Sequence, residues 1–181
     1  MSTIEKTSTS RPYALGRDQG VADLWWPYGP AVGRYSIKVS GEQTEGRLLQ
    51  FLLTDSRGAA APFHIHHDTD ETWYVIEGKL AVFVGDERFE VRSGDFVLGP
   101  KGIPHTFLVT SERAEVLVTY GPAGTKGPSG YGVAGFFPEV AVPVVPRQAP
   151  PQATEPSDPE DFARRMAVYG IELVGPPPTL D

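Results

Sequence analysis

Between Arg34 and Tyr120 apolar residues recur at every second position in short runs. A half-buried strand turns successive side chains to opposite faces, so runs of this period predict short β-strands. They fall at Tyr35 to Val39, Leu48 to Leu53, Glu71 to Ile76, Leu80 to Val84, Phe89 to Val91, Phe96 to Leu98, Thr106 to Thr110 and Val116 to Tyr120. The breaks between them are turn-formers: Gly78, Gly85-Asp86, Ser93-Gly94-Asp95, Pro100-Lys101-Gly102 and Ser111-Glu112. Strands this short and evenly spaced predict an all-β sandwich or barrel over residues 34–120 rather than a parallel α/β sheet.

The flanks lack this pattern. Residues 1–33 read as an irregular N-terminal arm ending in Leu24-Trp25-Trp26-Pro27-Tyr28-Gly29-Pro30, an aromatic cluster expected to pack on the barrel or on a partner chain. Residues 121–157 are glycine-rich, then proline-rich, and predict an extended strap across the surface. Residues 158–181 carry one short helix and a tail. Asp158 is the N-cap, Pro159 takes the first helical position, Glu160 and Asp161 fill the first turn, and Gly170 ends the stretch. Phe162, Met166 and Tyr169 form an apolar stripe expected to dock on the barrel or a second subunit.

Composition narrows the function classes. The chain has no cysteine, which excludes disulfides, thiolate-held zinc, iron–sulfur clusters and thiol nucleophiles. Its formal charge of −7 and lack of a Lys/Arg cluster exclude nucleic acid as an expected partner. No stretch approaches the roughly 18–20 apolar residues of a membrane span, and Met1 to Tyr13 has no apolar run suited to a signal peptide. A cytoplasmic protein with no membrane partner is the expectation.

All four histidines lie between residues 64 and 105. His64 and His66 flank one residue, so on a strand both imidazoles project into one space. Glu71 follows after the turn His67-Asp68-Thr69-Asp70, which returns a carboxylate beside them. His105 follows the rigid turn Pro100-Lys101-Gly102-Ile103-Pro104. Three imidazoles and a carboxylate converging on one point suit one divalent transition metal: iron, nickel, manganese, cobalt, copper or zinc. His67 points away from His66 along a continuous strand and is expected at the surface, while Asp68, Asp70 and Asp95 read as turn-formers.

With these residues in place the sequence resembles the cupins. Their first motif runs Gly, five residues, His-x-His, three or four residues, Glu, six residues, Gly, and is matched by Gly58, His64, His66, Glu71 and Gly78. Their second motif is matched by Gly94, Pro100, Gly102 and His105, with Val109 where the family has a non-ligand Asn. The resemblance implies a double-stranded β-helix, a jelly-roll barrel with one metal held by His64, His66, Glu71 and His105. Ser40 to Gly46, Gly121-Pro122-Ala123-Gly124 and Tyr169 to Pro176 are similar to the single-barrel, quercetin 2,3-dioxygenase-like cupins. That group often carries a short helix where this chain has Gly124 to Phe137, and the repeated glycines argue against one here.

Alternation then gives candidate pocket walls. Trp73 shares a face with Glu71, Phe107 shares one with His105, and Phe51 is expected to point inward. Aromatic walls beside a metal suit a flat aromatic substrate. The resemblance implies a quercetinase-like dioxygenase that binds an enol or phenol and dioxygen, with Glu71 as metal ligand and catalytic proton acceptor. In quercetinase-like relatives the outcome is flavonol ring cleavage with loss of carbon monoxide. The same ligand set serves a metal-dependent cyclase, isomerase or decarboxylase working without oxygen on a polyketide-like or other small molecule. A binding module without catalysis is the third expectation. Single-barrel cupins are commonly dimeric, and the aromatic arm, strap and stripe add apolar surface, so a homodimer is expected.

Overall fold

The computed structural model describes residues 11–29 and 31–180. What the sequence implied for residues 1–10, Pro30 and Asp181 lies outside the described residues. In chain order the elements are β1 (Ala22–Trp26), β2 (Gly33–Val39), β3 (Leu49–Ser56), β4 (Phe63–His66), β5 (Asp70–Glu77), β6 (Lys79–Val84) and β7 (Glu87–Arg92). There follow β8 (Phe96–Gly99), β9 (His105–Val109), β10 (Arg113–Gly121), β11 (Lys126–Gly127) and β12 (Gly130–Tyr131). The chain ends with α1 (Gly132–Val140), β13 (Val142–Pro143), α2 (Pro159–Ala167) and β14 (Ile171–Gly175).

Two antiparallel sheets form the double-stranded β-helix. One runs β13-β1-β2-β3-β10-β5-β8, the other β14-β4-β9-β6-β7. The alternation that predicted the strands is the alternation of burial. Along β5, Glu71, Trp73 and Val75 are buried while Asp70, Tyr74 and Ile76 are exposed. Inward residues of both sheets, among them Leu49, Leu53, Trp73, Val75, Leu80, Val82, Val109 and Val116, make one core. Each fully buried aliphatic side chain contributes roughly 1.5–3 kcal/mol, so the barrel is held by this layer rather than by its polar site.

The flanks depart from expectation in two places. Among the described residues of the arm, 11–21 are irregular; residues 22–26 then pair with Gly33 to Ile37 of β2 and in part with β13, so the sheet continues into the arm and the strap. The strap also contains a helix, α1, against the expectation drawn from its glycines. Those glycines permit close approach rather than flexibility. A Cβ on Gly135 would sit 2.4 Å from the Gly130 carbonyl carbon, and Phe136 and Phe137, which follow it directly, are buried. Tertiary burial of an apolar face overrides poor helix propensity in a helix this short.

The C-terminal helix stands where the sequence put it, with Asp158 Oδ1 accepting from the Asp161 backbone N–H at 2.9 Å. Its Phe162 and Met166 are buried against Phe136, Tyr169 and Ile171, with Trp26 and Tyr28 alongside. The stripe is thus covered by the chain's own elements and requires no second chain.

Candidate metal centre

Each sheet contributes part of the centre. From the smaller sheet come His64 and His66 on β4 and His105, the first residue of β9, with His64 and His105 directly paired. From the larger sheet comes Glu71, the second residue of β5. All four are buried, and their ligand atoms lie within 4.8 Å of one another. Glu71 Oε2 faces the Nε2 atoms of His66 at 3.1 Å, His105 at 3.2 Å and His64 at 3.7 Å.

The outer ring nitrogens fix the chemistry of the inner ones. His64 Nδ1 lies 2.8 Å from the Pro62 carbonyl oxygen and His105 Nδ1 lies 2.8 Å from that of Ile103. A carbonyl only accepts, so both Nδ1 atoms carry a proton and donate it. An imidazole that holds a single proton, on Nδ1, has its lone pair on Nε2, here the nitrogen that faces the centre. Burial pushes the His66 pKa down to about 4, outweighing the opposing pull of Glu71, and keeps that ring neutral at neutral pH. Burial opposes ionisation of Glu71, but the hydrogen-bonding imidazoles outweigh it and hold the carboxyl well below its ordinary range. Nε2 lone pairs and a carboxylate oxygen this close repel one another unless a positive charge lies between them, either the protons through which the rings hydrogen-bond to Glu71 or a metal ion in their place. The donor set therefore fits a borderline divalent ion, which binds deprotonated ligands of this kind.

The centre opens into a cavity of about 70 Å³. Phe51 and Phe107 line it, together with Tyr35, Val118 and Tyr120 from the barrel. Its far wall is Trp26, Phe137, Phe162 and Met166, from β1, α1 and α2. Trp73 does not line it. Sharing a face with Glu71 is not sharing a depth: two residues along a strand are roughly 6.6 Å apart. Trp73 is fully buried beneath the centre, its ring 5.5 Å from that of His105 and against Gly99, where a Cβ would lie 2.8 Å from the indole.

The remaining candidates stand at the surface or in turns. His67 is exposed and pairs with Glu172 at 2.9 Å. Asp70 accepts from the Lys101 backbone N–H at 2.9 Å and Asp95 from that of Arg92 at 3.0 Å. Asp68 accepts from the Thr125 hydroxyl. Tyr120 was missed, although alternation along Val116, Val118 and Tyr120 carries the signal; Trp26, Phe137, Phe162 and Met166 reach the cavity through tertiary packing that no period reveals.

Comparison with known proteins agrees with this geometry. The cupin domain family model matches residues 51–120, the stretch holding all four converging residues. This chain carries a cupin domain. It is 32% identical over 160 residues to a quercetin 2,3-dioxygenase of Bacillus subtilis, a match covering 88% of this chain and 44% of that protein. The chain thus spans less than half the length of that relative. An uncharacterized protein of Streptomyces coelicolor is 39% identical over 56 residues, 31% of this chain and 53% of that one. Among solved structures, a predicted oxalate decarboxylase from Thermotoga maritima superposes with a TM-score of 0.51 at 15% identity, over 56% of this cupin and 92% of that chain. At that identity the likeness concerns the fold. No helix among the described residues is long and apolar enough to cross a membrane.

Proposed function

We propose that this cupin is a metal-dependent dioxygenase that cleaves a flavonol or a related enol or phenol, with His64, His66, His105 and Glu71 as the ligands of one divalent ion. The observation that carries the reading is the buried group of three imidazoles and one carboxylate at the end of an aromatic-walled cavity. Similarity to the Bacillus subtilis quercetin 2,3-dioxygenase supports the choice of substrate class. When bound, the ion supplies Lewis acidity toward the substrate's hydroxyl oxygen. Glu71 accepts the proton that this oxygen releases, since its carboxylate lies at the centre within reach of a hydroxyl bound there. Phe51 and Phe107 flank a flat ring, and the apolar wall excludes water.

A second reading has its own observation. Binding pockets for drug-sized ligands run to roughly 300–1,000 Å³. A cavity of about 70 Å³ suits a smaller molecule unless the wall formed by β1, α1 and α2 moves. That favours an oxygen-free isomerase, cyclase or decarboxylase. One experiment separates the two. Protein loaded in turn with iron, nickel, manganese, cobalt, copper or zinc is given a flavonol in an oxygen electrode. Oxygen uptake matching flavonol loss supports the dioxygenase, and turnover of a small enediol or acid under nitrogen supports the second reading.

A further inference from the structure

Of the side chains on the cavity wall, Tyr120 has a polar atom near the centre and no part in the reading above. Its position follows from strand register. β10 and β5 pair antiparallel with Tyr120 directly opposite Glu71, so the two side chains project from the same face as cross-strand neighbours. The Tyr120 ring stands edge-on to His66, 5.1 Å between centroids at 80°, and the residue is buried. Tyr35, the other phenol on the wall, lies on β2, which two further strands separate from β5 in the sheet order.

The hydroxyl is a donor in this setting. Tyr120 and Glu71 line the same cavity, and a phenol carries a proton to donate. A carboxylate oxygen accepts. A glutamate reaching a centre from a strand has rotatable bonds to settle, and the three imidazoles engage only Oε2. Carboxylates that bind metals are themselves held by hydrogen bonds, and losing such a partner costs about 10–100-fold in affinity or activity.

We propose that Tyr120 is the positioning residue for Glu71, its hydroxyl donating to the carboxylate and so fixing the oxygen that faces the three imidazoles. The inference rests on reading the four-residue group as a metal site, and its test keeps the two apart. Cobalt(II) affinity is measured by chelator competition, together with the visible absorption of bound cobalt, which responds to coordination geometry. Tyr120→Phe keeps the ring and removes the donor. It is expected to bind cobalt about 10–100-fold more weakly, with an altered absorption band and an unchanged melting temperature of the metal-free protein. In a Glu71→Gln background the same change is expected to cost less than about twofold, because the group it acts through has gone. A loss under about fivefold in the native background, or an equal loss in both backgrounds, overturns the proposal. His105→Ala is the reference: if it keeps full cobalt affinity the metal reading itself fails. If it loses cobalt while Tyr120→Phe does not, only the role of Tyr120 fails.

Discussion

The two ends of the cavity are built from different parts. At one end four ionisable side chains stand on the paired strands β4 and β9 of one sheet and on β5 of the other, two of the rings tethered to backbone carbonyls at 2.8 Å. At the other end apolar rings from β1, α1 and α2 meet edge to face: Trp26 with Phe137 at 5.7 Å, Trp26 with Phe162 at 6.2 Å and Phe136 with Phe162 at 5.3 Å. The polar end costs free energy to bury and returns it when an ion binds. The aromatic end is stabilising by itself, through burial and ring contacts of about 0.5–1.5 kcal/mol each. Function and stability are thus separable along one cavity, and substitutions at either end test that separation.

The largest expected effect is at the polar end. Removing a partner of a metal ligand costs about 10–100-fold, so removing a ligand outright by His66→Ala or His105→Ala should weaken binding about a thousandfold or more. Both variants should remain folded, because the core of the barrel does not include these rings. An ion at a hundred times its Kd stabilises the native state by about 2.7 kcal/mol. For a chain of this size that raises the melting temperature by roughly 5–11 °C. Loading should produce this shift in the native protein and none in either variant. A full metal equivalent in either variant, read by elemental analysis after gel filtration, would falsify the ligand assignment.

The same division separates what the sequence makes legible from what it does not. His64 and His66 could be read as neighbours because strand period two is local, and β4 places them side by side. Glu71 and His105 were legible through turns of fixed length. Phe51 and Phe107 followed from alternation, whereas Trp73 did not, because period gives a face and not a depth. The aromatic end was closed to this reading: Trp26, Phe137 and Phe162 come from segments 111 and 25 residues apart, and only folding brings them together. In sequence the glycines of α1 argue against a helix, and the close approach of Gly135 to Gly130 that they serve is visible only in three dimensions.

A smaller effect, and one confined to stability, is expected at the aromatic end. Phe162 is buried among Trp26, Tyr28 and Phe136. Phe162→Ala should lower unfolding free energy by about 3 kcal/mol, the lower end for a buried phenylalanine, since the site borders a cavity able to relax. Chelator competition should find its metal affinity within about twofold of native, as expected for distant independent sites. A tenfold loss of affinity would mean that the two ends are coupled and the separation does not hold.

The smallest expected effect concerns how the aromatic end is fastened. Arg165 on α2 donates to Glu139 on α1 at 2.9 and 3.1 Å, and the Tyr169 hydroxyl donates to the same carboxylate. Glu139 therefore ties together the two helices that cover the cavity. The Tyr169 hydrogen bond, then Arg165, hold its pKa below the ordinary carboxylate value. With the folded pKa depressed, this tie contributes fully above the unfolded glutamate value of about 4.3 and is lost as pH falls through the folded one. The pair is partly exposed, so Arg165→Ala should cost only about 1 kcal/mol. If the helices open as a unit, that cost is about fivefold in the opening equilibrium, and amide exchange in α1 and α2 should quicken by this factor. Amides of β5 and β10 should exchange at the native rate, since global unfolding is still governed by the barrel core. In the native protein, acidification below pH 4 should quicken the helices relative to the strands in the same way. Equal acceleration in helices and strands would show that the aromatic end does not move independently, and with it would go the route by which a ligand larger than the cavity could reach the metal.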